Sequence, residues 1–288
     1  MKCRFLSSLG LVAGAALSSL GGVSSAYAYP AFQVHEDAIS GTPANTVAAD
    51  RMSYAYGARI AQTVTGGNGL AGSGDLFREA GYLSLSSYAN SSGSVSSYIN
   101  SPGSAGYQLY ATFIINGETD YGQGNNLIHA AFASVSLSLY ADVNSNTRLG
   151  TTGSTISGGT QVNFTRSNSS DDVLLGSATL ALGEANIYNG LASGDFGVSL
   201  LLSLNAAGKR LFNVPNDFYS YMHVNGTTSA ASNGPALLTG GMSTISGGGT
   251  LSFSNTPTAA VPEPSSMLLL GGGLLGLYAT SRRRSRKD

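Results

Sequence analysis

The sequence predicts an all-β fold, an antiparallel sandwich or jelly-roll-like single domain, and three observations point to it. Apolar and small polar residues alternate along several windows, the period of a strand with one buried face. Asn-Gly and Gly-rich clusters separate those windows at roughly ten-residue intervals, the spacing of turns between the short strands of an antiparallel sandwich or barrel. Helical spacing is not sustained over three turns anywhere, and a short helix is expected only near Leu70 to Ala80.

Taken in order, the expected strands are Arg59 to Val64, Tyr82 to Leu85, Tyr107 to Ile115, Ile128 to Tyr140, Gln161 to Arg166, Val173 to Leu182, Phe196 to Leu204, Phe218 to Val224 and Thr250 to Phe253. Val135-Ser136-Leu137-Ser138-Leu139 shows the alternation most clearly. The expected turns fall at Gly66-Gly67-Asn68-Gly69, Asn116-Gly117, Gly158-Gly159, Asn189-Gly190, Asn225-Gly226 and Gly247-Gly248-Gly249, because these residues accept the positive φ of hairpin turns. Ser86 to Gly106 is a low-complexity run read as a long loop or ragged hairpin. No repeat of fixed period is visible, which argues against a propeller or solenoid.

Composition narrows the class further. The 288 residues include 39 glycines and are only 10% charged, whereas globular chains average about 25% charged residues and about 7% Gly. With 42% hydrophobic and 9% aromatic residues, the chain still has the means to build a core. Its single cysteine, Cys3, excludes a disulfide framework and a cysteine-based metal site. Net charge is −1 over the whole chain. Over residues 29–261, seven basic residues face thirteen acidic ones, a net charge of −6 that argues against a nucleic-acid partner.

Both ends read as processing segments. Residues 1–28 combine Lys2 and Arg4, an apolar run and Ala26-Tyr27-Ala28, the three parts of a secretory signal with cleavage expected after Ala28. Cys3 lies too early for a lipoprotein acylation site. A β-rich extracellular domain is expected over 29–255, followed by a Pro-containing linker at 256–264. Residues 265–288 hold a transmembrane segment and a basic tail: Met267 to Ala279 is short of the ~20 residues of a full membrane span, and Arg282, Arg283 and Arg284 would keep the tail cytoplasmic. Prolines hold the linker extended, as suits a peptide that must enter an enzyme's cleft.

Pro262-Glu263-Pro264, the apolar run and the arginine cluster together resemble the sorting signal of PEP-CTERM proteins of exopolysaccharide-producing Gram-negative bacteria, over 261–288. The resemblance implies recognition by an exosortase, a membrane-embedded cysteine transpeptidase, with transient anchoring in the inner membrane before passage to the cell surface or matrix. The domain itself is similar to the flocculation-associated members of that group. The segments that carry this are Ala31-Phe32-Gln33-Val34, Asn45 to Arg51, Tyr107 to Ala111, Leu137 to Asp142, Asp171 to Gly176, and Phe218-Tyr219 through Asn225-Gly226. Ser86 to Gly106 departs from it.

Few constellations suggest chemistry. Asp142, Asn144 and Asn146 alternate oxygen-bearing side chains like the first half of a calcium loop, but Thr147 stands where the loop glycine belongs and Gly153 where a bidentate Glu would bind. An Asx-rich turn accounts for the same residues. Calcium is therefore the one cofactor considered, and none is required. Gly67-x-Gly69-x-x-Gly72 lacks the strand and helix that would make it a dinucleotide loop. His35, His129 and His223 have no Gly-x-Ser-x-Gly partner, and Glu36, Glu79, Glu118 and Glu184 are scattered, so no catalytic residue is assigned. Tyr82, Tyr88, Tyr98, Tyr107 and Tyr110 are either strand residues or an aromatic face for sugar rings. The expectation is a non-catalytic surface or matrix protein that associates with extracellular polysaccharide and promotes flocculation. A carbohydrate-binding module or polysaccharide-modifying enzyme is the alternative.

Overall fold

The computed structural model describes residues 29–64, 73–101, 106–121, 128–156, 159–188, 193–230 and 241–257. Eight long strands form the body: β3 (Arg51–Gln62), β4 (Asp75–Asn90), β6 (Gln108–Tyr121), β7 (Ile128–Asp142), β10 (Val173–Tyr188), β11 (Ser193–Leu204), β13 (Tyr221–Ala230) and β14 (Met242–Ser254). Each pairs antiparallel with the next, and β14 returns to pair with β3. The sheet is thus a closed up-and-down barrel. Of the sandwich or barrel that the turn spacing allows, the barrel is formed, and the sandwich or jelly-roll-like domain is corrected: alternation requires one buried face, and a sheet closed on itself supplies that face without a second sheet.

Inward positions follow the alternation. On β3 they are Met52, Tyr54, Tyr56, Ala58 and Ile60, opposite Tyr88, Leu85, Leu83, Gly81 and Glu79 of β4. Leu109, Ala111, Phe113 and Ile115 continue the row on β6, and Val135, Leu137, Leu139 and Ala141 on β7. The exterior of β7 and β10 carries Ser134, Ser136, Ser177 and Thr179, all exposed.

Short elements close one end. β1 (Phe32–His35) pairs with β2 (Thr46–Ala49) on one side and β12 (Phe212–Val214) on the other. Phe32 meets Phe253 edge-on at 5.1 Å, and Phe218 meets Phe253 at 4.9 Å, so a phenylalanine cluster fills that mouth. The helix α1 (Ala206–Leu211) starts from Asn205, whose side chain accepts the backbone N–H of Ala207 and Gly208 at 2.9 and 3.0 Å. A 3-10 turn, Glu36–Ala38, follows β1, and β5 (Gly93–Val95) extends the edge of β4. The hairpin of β8 (Arg148–Ile156) and β9 (Gly159–Ser167) lies outside the barrel, where Val162 covers Ala61 and Ala80.

Several local expectations change. The helix near Leu70 to Ala80 gives way to strand from Asp75 onward, because Phe77, Glu79, Gly81 and Leu83 share one face at period two. Of the long loop or ragged hairpin expected over Ser86 to Gly106, the first part is a hairpin: Ser86 to Asn90 continues β4, and Gly93–Val95 pairs back against Tyr88 to Asn90. Asn116-Gly117, Asn225-Gly226 and Gly247-Gly248-Gly249 are not turns but lie inside β6, β13 and β14. Their use is space: a Cβ on Gly226 would stand 2.5 Å from the Tyr54 hydroxyl, and one on Gly247 would stand 2.7 Å from the Tyr56 ring. Tyrosine rings cover bare glycine backbone at the seam of the barrel. Residues 66–69, 189–190 and 265–288 lie outside the described residues, and with them the expected transmembrane segment. Among the described residues no helix is long and apolar enough to cross a membrane.

A Cβ added at Gly249 would meet the Asn225 carbonyl oxygen at 2.0 Å, so Gly249→Ala must push β13 and β14 apart. The expected cost is about 1–3 kcal/mol, read as a lower urea midpoint at unchanged slope.

Candidate functional site

Closure of eight strands leaves an interior that side chains nearly fill or that holds one small ligand. Here the half towards the phenylalanine cluster is filled, and the other half contains a cavity of about 70 Å³ as space for the centres of water molecules. All eight strands line it. Phe77, Phe113, Phe132 and Phe196 supply aromatic walls, and Ile60, Ile115, Ile187 and Ile245 aliphatic ones. Its polar lining residues are Tyr56, Glu79 and Thr228.

Tyr56 and Thr228 both line this cavity. Glu79 stands differently. It projects inward between Ile60 of β3 and Ile115 of β6, and no described residue donates a hydrogen bond to it. It is half-buried and lines the cavity. Burial therefore pushes its carboxyl from the ordinary 4.5 up to about 7, because the charged form loses hydration and gains no partner. The nearby charge raises the Tyr56 hydroxyl in turn, adding to its own burial.

A second buried carboxyl shows the contrast. Glu36, 0% exposed at the closed end, accepts the Tyr107 hydroxyl at 2.7 Å, the Tyr98 backbone N–H at 2.9 Å and the Asn45 amide at 2.5 Å. Tyr88 and Tyr107 hydroxyls meet at 3.0 Å, and burial raises both well above the usual tyrosine range. The five tyrosines considered for a sugar platform do not form one: Tyr88 and Tyr107 are 0% exposed and Tyr110 is 1% exposed. Tyr88 and Tyr107 pack and hydrogen-bond at the closed end, Tyr110 is covered by Tyr140, Arg166 and Asp172, and Tyr82 and Tyr98 are half-buried.

The calcium-loop residues separate. Asp142, fully buried, accepts the backbone N–H of Asn144 at 3.2 Å and of Thr147 at 2.8 Å, an Asx-type turn. The Asn144 amide donates to Asp171 at 2.7 Å, and the Asn146 backbone carbonyl accepts from Asn168 at 3.5 Å. The side chains that gather are instead Asp142, Asp171 and Asp172, with carboxylate oxygens within 4.8 Å of one another. Thr147, Tyr110 and Arg166 hold Asp172, and the Arg166 guanidinium lies 4.1 Å over the Tyr140 ring. No single motif marked this group, since Asp171 and Asp172 come from beyond the β8–β9 hairpin.

The histidines are dispersed. His35 ends β1, and His129 meets Glu184 at 3.1 Å on the exposed face of β7 and β10. His223 is buried, with Nδ1 2.8 Å from the Ser199 hydroxyl and Nε2 2.7 Å from that of Ser254. Burial lowers its pKa. This row links β11, β13 and β14 across the outer face of the sheet.

The signal residues Ala26 and Ala28 and the sorting residues Pro262, Glu263, Pro264, Arg282, Arg283 and Arg284 lie outside the described residues. They are read from sequence alone. Glu79, by contrast, stood in the sequence as one carboxylate among several; its signal was the alternation of Phe77, Glu79, Gly81 and Leu83, hidden under an expected helix.

Residues 260–284 match the family model of the PEP-CTERM protein-sorting motif. That motif marks an exported protein for recognition by an exosortase, a membrane transpeptidase, and for sorting to the cell surface. No curated protein and no solved structure matches the chain.

Because the folded value of Glu79 lies above the unfolded one, its contribution to stability is fully present below about 4.5 and is lost as pH rises through about 7. Glu79→Gln, uncharged throughout, is expected to gain about 3 kcal/mol over the wild type at pH 8 and almost nothing at pH 4, measured by urea unfolding at both.

Proposed function

Starting from an exported chain that an exosortase sorts through residues 260–284, we propose a non-catalytic surface or matrix protein that associates with extracellular polysaccharide and promotes cohesion between cells. The sorting match carries this reading. A β-barrel followed by a cleavable tail is a compact body delivered to the outside and released from its transient place in the inner membrane. Pro262, Glu263 and Pro264 are the proposed recognition peptide, and Arg282, Arg283 and Arg284 the stop that keeps the tail on the cytoplasmic side.

The exterior of the barrel supports a polysaccharide partner. Ser134 and Ser136 on β7 stand beside Asn116 of β6 and Thr179 of β10, a surface of hydroxyls and amides bordered by Arg78, which donates to the Asn116 amide oxygen at 3.1 Å. The Asn116 amide donates to the Ser134 hydroxyl at 3.1 Å. Hydrated polymers of sugar offer the matching donors and acceptors, and such contacts tolerate bridging water. No charged pair is needed for them, consistent with the 10% charged composition.

Replacing Pro262-Glu263-Pro264 with alanines is expected to leave full-length protein in the membrane fraction, while the wild type is recovered shortened outside the cell. Normal maturation of the variant, followed by mass spectrometry of its C-terminus, would refute the role. The exported protein is also expected to be retained on the producing cell's own polysaccharide with no new reducing ends over time. Accumulating reducing ends would establish a hydrolase instead.

A further inference from the structure

Surface association leaves the barrel interior without a purpose, and the interior holds the Glu79 carboxyl. Glu79 is a half-buried carboxyl lining an apolar cavity with no donor among the described residues, whereas the buried carboxyls Glu36 and Asp142 each accept several hydrogen bonds. We propose that the lumen is a binding site for a compact apolar amine, its ammonium group against the Glu79 carboxylate and its hydrocarbon body among Phe132, Phe196, Ile187 and Ile245.

Three observations select this class. First, the cavity is apolar apart from one face, so an occupant needs a single polar head and an otherwise hydrocarbon body. Second, the free polar group is an acid, and Tyr56, whose hydroxyl burial raises well above the usual tyrosine range and so keeps neutral, is the other titratable side chain of the lining. An ammonium group donates to the carboxylate and also neutralises it, whereas an alcohol only donates; in a low-dielectric enclosure the charged pair gains more. An anion would meet the ionised carboxylate directly and is rejected. Third, residues 29–261 carry a net charge of −6, so the field around the domain concentrates cations over anions. Size follows from volume: about 70 Å³ of water-centre space corresponds to roughly five to seven water-sized groups at about 10–15 Å³ each, the bulk of a short branched or cyclic alkylamine.

Pairing pulls the carboxyl back towards ionisation, so binding is linked to pH. The amine keeps its charge from pH 6 to 8, while a carboxyl titrating at about 7 passes from about one-tenth to about nine-tenths ionised over that interval. Affinity for the amine is therefore expected to fall about tenfold from pH 8 to pH 6.

The test is calorimetry on the exported protein with isoamylamine, isoamyl alcohol and isovalerate, which share a skeleton and differ in the head group. Isoamylamine is expected to bind, tighter at pH 8 than at pH 6; isovalerate is expected not to bind, and Glu79→Gln to weaken the amine at least tenfold. Equal binding of amine and alcohol, amine binding indifferent to Glu79→Gln, or no amine binding at pH 8 would each overturn the proposal. A second measurement needs no variant: the carbon-13 titration midpoint of the Glu79 carboxyl is expected to drop from about 7 when isoamylamine is added, and an unmoved midpoint at saturating amine overturns it equally. Sorting by the tail is untouched by either result, so failure here is separable from failure of the surface-protein reading.

Discussion

The pairing of β14 with β3 is the constraint on which the rest of the structure depends. Met52 to Ala61 align with Leu251 to Met242 in an unbroken antiparallel ladder, joining the first and last long strands of the domain. Without it, a curled sheet would present two free edges and a trough open to water. With it, every long strand has two neighbours and the inward residues share one enclosed space. The seam needs close approach of backbones and rings together, which explains a strand carrying Gly247, Gly248 and Gly249 where strands usually avoid glycine. Tyr54 and Tyr56 cover the exposed backbone, and the Tyr54 hydroxyl donates to the Asn225 carbonyl at 3.1 Å, tying β3 across to β13.

Enclosure then determines what each polar group costs. Glu36 and Glu79 are the same side chain in two settings: one receives hydrogen bonds from Asn45, Tyr98 and Tyr107, the other faces hydrocarbon. The first fastens β1 and its 3-10 turn to the segment between β4 and β6 and so helps to close one end. The second contributes nothing to the fold at neutral pH and weakens it. A barrel that keeps an unpaired acid in its lumen has its interior polarity set for something other than packing, as strained or costly features at functional sites generally are. Outside, the same alternation places Ser and Thr hydroxyls on β7 and β10, a surface suited to hydrated neutral polymers.

Much of the strand content was legible because period-two alternation is a local property. Val135 to Leu139 and Val173 to Leu182 read as strands and are strands. The errors share one cause. Asn-Gly and Gly-Gly signal turns through their tolerance of positive φ, yet at Gly226, Gly247 and Gly249 the residue is needed for its missing side chain. That requirement comes from Tyr54 and Tyr56 on another strand and leaves no mark near the glycines themselves. Likewise Asp142 drew notice through its neighbours Asn144 and Asn146, while its spatial partners Asp171 and Asp172 follow an intervening hairpin. Glu79 went unnoticed until Ile60 and Ile115 stood on either side of it.

Linear order was enough for the class of the fold and for the sorting tail, since strand alternation and a peptide read by an enzyme are both written in consecutive residues. Closure into a barrel was not accessible in that way. Alternation states that one face of each strand is buried, and it is silent on whether a second sheet or the far side of the same sheet buries it. That choice rests on the pairing of β3 with β14, between segments at opposite ends of the domain. Only once the pairing exists does a lumen exist, and only facing that lumen does Glu79 become an acid among hydrocarbon, because the opposing wall is supplied by other strands and not by its own.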